Sequence, residues 1–126
     1  MSGNRRFVLD TNAVVSLLAG NNNLADKLET AEYVGISVIT YLEFLAFDGL
    51  SEGDSDCFVK FAELVEVVPL AHNDSELIAK ALDLRSRFRM KLPDAIIGAT
   101  ALLRKSCLIT NDSHFDKVEP LTVLPC

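Results

Sequence analysis

Phe7-Val8-Leu9-Asp10-Thr11-Asn12 is a short apolar run that ends abruptly in three polar residues. Ala13-Val14-Val15-Ser16-Leu17-Leu18 follows with helix-like apolar spacing, and Gly20-Asn21-Asn22-Asn23 stops it. The pattern reads as a buried strand that delivers Asp10 into the turn before a helix running from Asp10 to Gly20. In open parallel α/β sheets, chemistry collects outside the carboxyl ends of the strands. A plainer reading has Asp10 or Thr11 only capping the helix.

The same alternation continues through the chain. Leu24, Leu28 and Ala31 mark a short amphipathic helix, and Tyr33 to Thr40 reads as a second buried strand. Thr40-Tyr41-Leu42-Glu43 opens the next helix, which carries Phe44, Leu45 and Phe47. After a polar break at 49–55, Phe58, Phe61, Ala62, Leu64 and Val65 form another helical face. Glu66 to Leu70 is a third strand. Asn73 opens a long helix with Leu77, Ile78, Ala81, Leu82 and Leu84 turned inward. Pro93-Asp94 starts the last long helix, through about Arg104. Cys107 to Thr110 is a fourth strand and Leu121 to Leu124 a fifth at the edge. Strands separated by helices imply an α/β fold, with a central parallel five-stranded sheet flanked by helices on both faces. No repeat or linker divides the chain, so residues 1–126 read as a single domain.

Topology gathers scattered acids. A crossover helix runs antiparallel to its strands, so helix N-termini and strand C-termini share one edge of the sheet. Asp10, Glu43, Asp94 and Asp112 should all emerge there. Each has a local explanation: Thr40-x-x-Glu43 fits a capping box, Asp94 suits the positive end of a helix dipole, and Asp112 fits a turn. Capping does not require the capped ends to converge, however. Clustered carboxylates repel, and a hard divalent cation, Mg²⁺ or Mn²⁺, resolves this while keeping waters of its own. Such ions generate a hydroxide and stabilise an in-line phosphoryl displacement without a Ser, Cys or His nucleophile. His72 and His114 are single; His114 lies near Asp112 as a peripheral contact or, the plainer reading, a surface histidine.

With 126 residues, 49% hydrophobic and 24% charged, the chain can bury a proper core and is not a disordered sequence. No apolar run reaches the ~20 residues of a membrane span. The segment Met1-Ser2-Gly3-Asn4-Arg5-Arg6 runs straight into a strand and lacks the pattern of a signal peptide. Cys57, Cys107 and Cys126 are odd in number and widely spaced, which suggests reduced thiols and a cytoplasmic location. Cys57 and Cys107 read as core filler. The net charge of −6 disfavours general phosphate binding, so any nucleic-acid role needs local basic patches and bound cations.

Val8-Leu9-Asp10-Thr11-Asn12, Ile39-Thr40-Tyr41-Leu42-Glu43, Leu92-Pro93-Asp94-Ala95-Ile96-Ile97-Gly98-Ala99 and Leu108-Ile109-Thr110-Asn111-Asp112-x-x-Phe115 resemble the four signature segments of PIN domains. They look most like the VapC-type toxin ribonucleases of prokaryotic toxin–antitoxin pairs, over essentially the whole chain. The resemblance implies a PIN-like fold and an endoribonuclease that hydrolyses RNA with Mg²⁺ or Mn²⁺. It also implies a homodimer, silenced by a cognate antitoxin that inserts a segment into the active-site groove. Asp10, Glu43, Asp94 and Asp112 would form the acidic quartet, with Thr11, Asn12 and Thr110 as polar supports. Asp116 lies close enough to Asp112 to share or replace its role.

Arg85, Arg87, Arg89 and Lys91 end the long helix just before Asp94. Arg89 and Lys91 are placed to hold RNA phosphates at the pocket rim, whereas Arg85 suits the helix dipole. Phe44 and Phe47 read as core or dimer surface. Other readings of Asp10 remain: a haloacid-dehalogenase-like phosphatase, weakened by Asn12 where a second Asp is needed; a receiver-like phosphoacceptor, which lacks the acid pair; and a catalytically silent PIN-fold binding module.

Overall fold

The computed structural model describes residues 5–126; the reading of residues 1–4 as part of a leaderless N-terminus lies outside them. The strands are β1 (Arg6–Leu9), β2 (Tyr33–Ser37), β3 (Glu66–Val68), β4 (Cys107–Ile109) and β5 (Val123–Leu124). All pair in parallel in the order β3-β2-β1-β4-β5. The helices are α1 (Thr11–Leu18), α2 (Asn22–Glu29), α3 (Val38–Leu45), α4 (Glu52–Glu63), α5 (Ser75–Phe88) and α6 (Leu92–Leu103), with a 3₁₀ turn at Ser113–Phe115. The α/β sheet expected from the sequence is therefore present, with β5 at an edge. No helix among the described residues is long and apolar enough to cross a membrane.

Alternation along the central strands builds two cores. Phe7, Leu9, Cys107 and Ile109 join Ala13, Val14, Leu24, Phe44 and Phe58 on one face. Val8 and Leu108 join Leu77, Ala81, Leu84 and Ile97 on the other. Strands buried on both faces read as continuous apolar runs, which is what residues 7–9 of β1 and the whole of β4 are. β1 lies at the centre of the order, so both of its neighbours fix where Asp10, the residue after its end, emerges. The Asp10 amide continues the ladder by donating to Ile109 O at 3.0 Å.

Several local expectations are corrected. β2 ends at Ser37, whose hydroxyl accepts from the Ile39 amide and caps α3. Val38 and Ile39 are β-branched, but the serine cap draws them into the helix. Glu43 consequently sits in the second turn of α3, and the expected Thr40–Glu43 capping box is not formed. Thr40 is fully buried, and its hydroxyl has no hydrogen-bond partner among the described residues. β3 stops at Val68 instead of Leu70. Leu77, Ala81 and Leu84 form the inward stripe of α5, so Leu82, one step around the helix, is 56% exposed. Leu64 is the C-cap of α4 and is 85% exposed. Cys57 is exposed beside fully buried Phe58, because neighbouring helical residues cannot share a face; Cys107 is buried as expected. Phe44 stacks on Phe58 with centroids 4.2 Å apart, whereas Phe47 is 71% exposed.

The end of the sheet opposite Asp10 is closed by a polar clasp. Arg104, the C-cap of α6, donates from Nε to Glu66 at 2.9 Å and from a terminal nitrogen at 3.1 Å. The Tyr33 hydroxyl also donates to Glu66. Burial, with the Glu66 carboxylate next, pushes the Tyr33 phenol up to about 12, so it stays protonated. The phenol ring lies along the strand over Gly35, where a Cβ would fall 2.8 Å from its Cζ. Gly35→Ala should therefore displace Tyr33 from Glu66 and lower stability by about 1–3 kcal/mol, the usual scale of overpacking. Urea denaturation measures it, and an unchanged midpoint would refute the packing argument.

Candidate active site

Asp10 is the N-cap of α1, in extended conformation, and is only 6% exposed. Its Oδ1 accepts from the Thr11 amide at 2.7 Å, so the plain capping role is real. Its Oδ2 accepts from the Thr110 hydroxyl at 2.8 Å and from Asn12 Nδ2 at 3.3 Å. Thr110 Oγ1 also accepts from Asn12 Nδ2 at 3.0 Å and from the Asp112 amide at 3.0 Å. A hydroxyl has two lone pairs and one proton. Both lone pairs face obligate N–H donors, so the proton must point at Asp10. Asn12 is fixed in turn, because its Oδ1 accepts from the Asn111 amide at 3.0 Å. Every supporting residue named from the sequence is thus engaged with the quartet.

Thr11 performs a second task. Its hydroxyl donates to Glu43 Oε1 at 2.6 Å while its amide holds Asp10, so one residue bridges two acids. Glu43 reaches the site from the second turn of α3 and is exposed. Asp94 occupies the first turn of α6 behind Pro93, with no side-chain cap at Lys91. Asp112 caps the 3₁₀ turn through the His114 amide at 2.9 Å. Asp116, the alternative fourth acid, lies at the far end of that turn and is exposed. It shares a hollow with Asp112, Ser113 and Val123 on the β5 side. Asp112 is the residue that faces Asp94.

Burial pushes the Asp10 carboxyl above the ordinary 3.8; the Thr110 and Thr11 hydrogen bonds pull it back in part, and Asp94 and Glu43 add an upward push. Asp94 is raised too, first by burial and then by Asp112 and Glu43, against smaller opposing effects of His114 and Lys91. These mutual influences link all four acids expected from the sequence into one constellation. Asp94, Asp112 and His114 each offer a ligand atom, and the three atoms lie within 4.8 Å of one another. Oxygen-rich donors at this spacing suit a divalent cation. Asn12 commits its amide to its neighbours, so nothing at that position acts as the second acid of a phosphatase.

The raised Asp94 carboxyl makes a stability prediction. Its proton is held more tightly in the folded chain than in the unfolded one. Its contribution to stability is full below pH 3.8 and is lost as pH rises through the raised value. Without metal at neutral pH, Asp94→Asn should raise Tm by roughly 2–4 °C, and the gain should vanish below pH 3.8. Saturating Mg²⁺ should reverse the order, because the native chain alone keeps the complete site. Calorimetric scans across pH test this, and a variant no more stable than native in EDTA at pH 7 would refute the repulsion.

Beside Asp94, Arg89, Met90, Lys91, His114 and Lys117 line a hollow of 110 Å³. Arg89 ends α5 in the left-handed conformation, with φ 53°. Arg85 Nη1 donates to Met90 O at 3.2 Å and fixes the same corner. Lys117 carries no expectation from the sequence, and His114 only that of a surface histidine or a peripheral contact. His114 is exposed, as expected, yet its Nδ1 lies 2.8 Å from Asp112 Oδ1. Its spacing two residues after Asp112 was the available signal. On the other side of Glu43, Thr11, Val15, Leu18, Phe47 and Leu50 line an apolar groove of 340 Å³.

The PIN domain family model matches residues 7–120. No curated protein sequence is significantly similar. Among solved structures, a toxin–antitoxin complex from Klebsiella pneumoniae contains a chain 25% identical, with 93% of this chain and 94% of that one covered and a TM-score of 0.75. VapBC2 from Rickettsia felis, bound to a promoter DNA fragment, is 18% identical over 95% of this chain and 98% of that one, with TM-score 0.76. VapBC-5 from Mycobacterium tuberculosis is 19% identical over 96% and 97%, with TM-score 0.65. With a family model spanning nearly the whole chain and four acids converging on the edge that its sheet topology dictates, this protein belongs to the PIN domain family.

Proposed function

We propose that the chain is a metal-dependent endoribonuclease, the VapC-type toxin of a toxin–antitoxin pair. The observation that carries this reading is the coupled quartet, in which Thr11 and Thr110 tie Asp10 to Glu43 and to the Asp112 backbone. Asp10, Glu43, Asp94 and Asp112 would hold Mg²⁺ or Mn²⁺. Such a cation, when bound, supplies an activated water and charge neutralisation at the scissile phosphate.

The chain's own residues do the rest. The Thr11 amide occupies one lone pair on Asp10 Oδ1 and leaves the other for the cation, while Thr110 and Asn12 hold Oδ2 in place. Asp94 stands at the positive end of α6, which offsets only part of the repulsion from the other acids, and a bound cation would offset the rest. Arg89, Lys91 and Lys117 offer cations around one hollow next to Asp94, where an RNA phosphate would sit. That placement sets three basic groups beside the acids in a chain whose net charge is −6.

The apolar groove beside Glu43 fits the antitoxin partner implied by the family resemblance. Val15 is 52% and Phe47 71% exposed. An apolar segment laid there would reach Glu43 and Thr11, so that occupying the groove also blocks the site. The solved neighbours include toxin–antitoxin complexes. Incubating the protein with single-stranded RNA and Mg²⁺ or Mn²⁺ tests the activity. Internal cleavage that EDTA abolishes is expected, and cleavage indifferent to EDTA would refute the mechanism.

A further inference from the structure

Asp94 comes from the first turn of α6, while Asp112 and His114 flank and occupy the short turn after β4. Their donor atoms nevertheless fall within 4.8 Å of one another. For metal–ligand bonds of ~2.1 Å, adjacent donors of an octahedron lie ~3 Å apart and opposite ones ~4.2 Å apart. Asp112 Oδ1 and His114 Nδ1 are 2.8 Å apart, a hydrogen-bond distance that is also close to the spacing of an adjacent ligand pair once a cation displaces the shared proton.

The backbone holds this pair in place. The His114 amide donates to Asp112 Oδ1 at 2.9 Å, and the Asp112 amide donates to Thr110 Oγ1 at 3.0 Å. The imidazole thus starts from the same hydrogen-bonded frame that fixes Asp10. Besides its contact with Asp112 Oδ1, the imidazole shares the hollow beside Asp94 with Arg89, Lys91 and Lys117. What it adds is a nitrogen donor among oxygens.

We propose that His114 is a direct nitrogen ligand of the divalent ion held between Asp94 and Asp112, giving this half of the site a preference for Mn²⁺ or Co²⁺ over Mg²⁺. The proposal rests on the metal-site reading above and adds a ligand outside the acid quartet. Imidazole is a borderline donor whose affinity rises from Mn²⁺ to Co²⁺ to Ni²⁺, whereas Mg²⁺ prefers carboxylate and water oxygens.

The test uses the full chain, as native protein, His114→Gln and Asp94→Asn. Pulsed electron paramagnetic resonance of the Mn²⁺-loaded protein reads coupling to imidazole ¹⁴N. Calorimetry reads Co²⁺ and Mg²⁺ affinity. The native protein should show nitrogen coupling that His114→Gln loses. His114→Gln should weaken Co²⁺ by about tenfold or more and Mg²⁺ by less than about twofold. Asp94→Asn should weaken both ions. Mn²⁺ bound without nitrogen coupling, or equal losses for Co²⁺ and Mg²⁺, would overturn the assignment of His114. Persisting EDTA-sensitive RNA cleavage would then show that the nuclease reading survives it. A native protein that bound none of these ions would sink both.

Discussion

Asp10→Asn should reduce RNA cleavage by on the order of a thousandfold or more while leaving the fold intact. The charge being removed sits where α1, β1 and β4 meet, and each Asp10 oxygen is already held by a protein donor. An amide keeps the shape but presents one weaker acceptor and one donor. Its NH₂ would face either the Thr11 amide or the Thr110 proton, so a donor–donor conflict arises on whichever side it turns. Several kcal/mol of charge stabilisation at the transition state correspond to three or more decades of rate. Circular dichroism should be unchanged, because Asn caps a helix about as well as Asp. A variant within tenfold of native activity would remove Asp10 from the chemistry.

Thr110→Val should cost roughly 10–100-fold in activity, the scale seen when a group that orients a metal ligand is lost. Valine preserves the volume but breaks three hydrogen bonds at once: the one to Asp10, the one from Asn12 and the one from the Asp112 backbone. Asp10 would lose the group that fixes its Oδ2, and Asp112 the group that positions its turn. Thr110→Ser, which restores the hydroxyl, should recover most of the loss. That rescue separates positioning from packing: a serine variant as impaired as the valine one would show that the methyl group, not the proton, matters.

How much of this was legible in the sequence depends on the range of the interaction. Asp10 and Asp94 were readable because a strand followed by a helix start leaves little freedom about which edge they occupy. The two-sided burial of β1 and β4 showed in their uninterrupted apolar runs. Glu43 was assigned to the right edge but to the wrong turn. Ser37 and Thr40 are both competent caps, and the β-branched Val38-Ile39 between them reads equally as strand; tertiary packing of Ile39 against the α5–α6 core accompanies the earlier start. Leu82 looked core-facing because apolarity was counted without its exact angle on the helix. Lys117 carries no signal and His114 no more than a peripheral one, because a three-residue 3₁₀ turn and the loop after it have no periodicity to reveal a face. The shared proton economy of Thr110 belongs to residues about a hundred positions apart, so no local pattern could disclose it.

The convergence of the acids is best examined by crystallography of the full chain soaked in Mn²⁺, with anomalous scattering to locate the ion. The account predicts a peak in the space bounded by Asp10, Glu43, Asp94 and Asp112, absent from crystals of Asp10→Asn treated alike. Manganese found only on other surfaces, with those four side chains unliganded, would show that the carboxylates meet for a reason other than holding a cation.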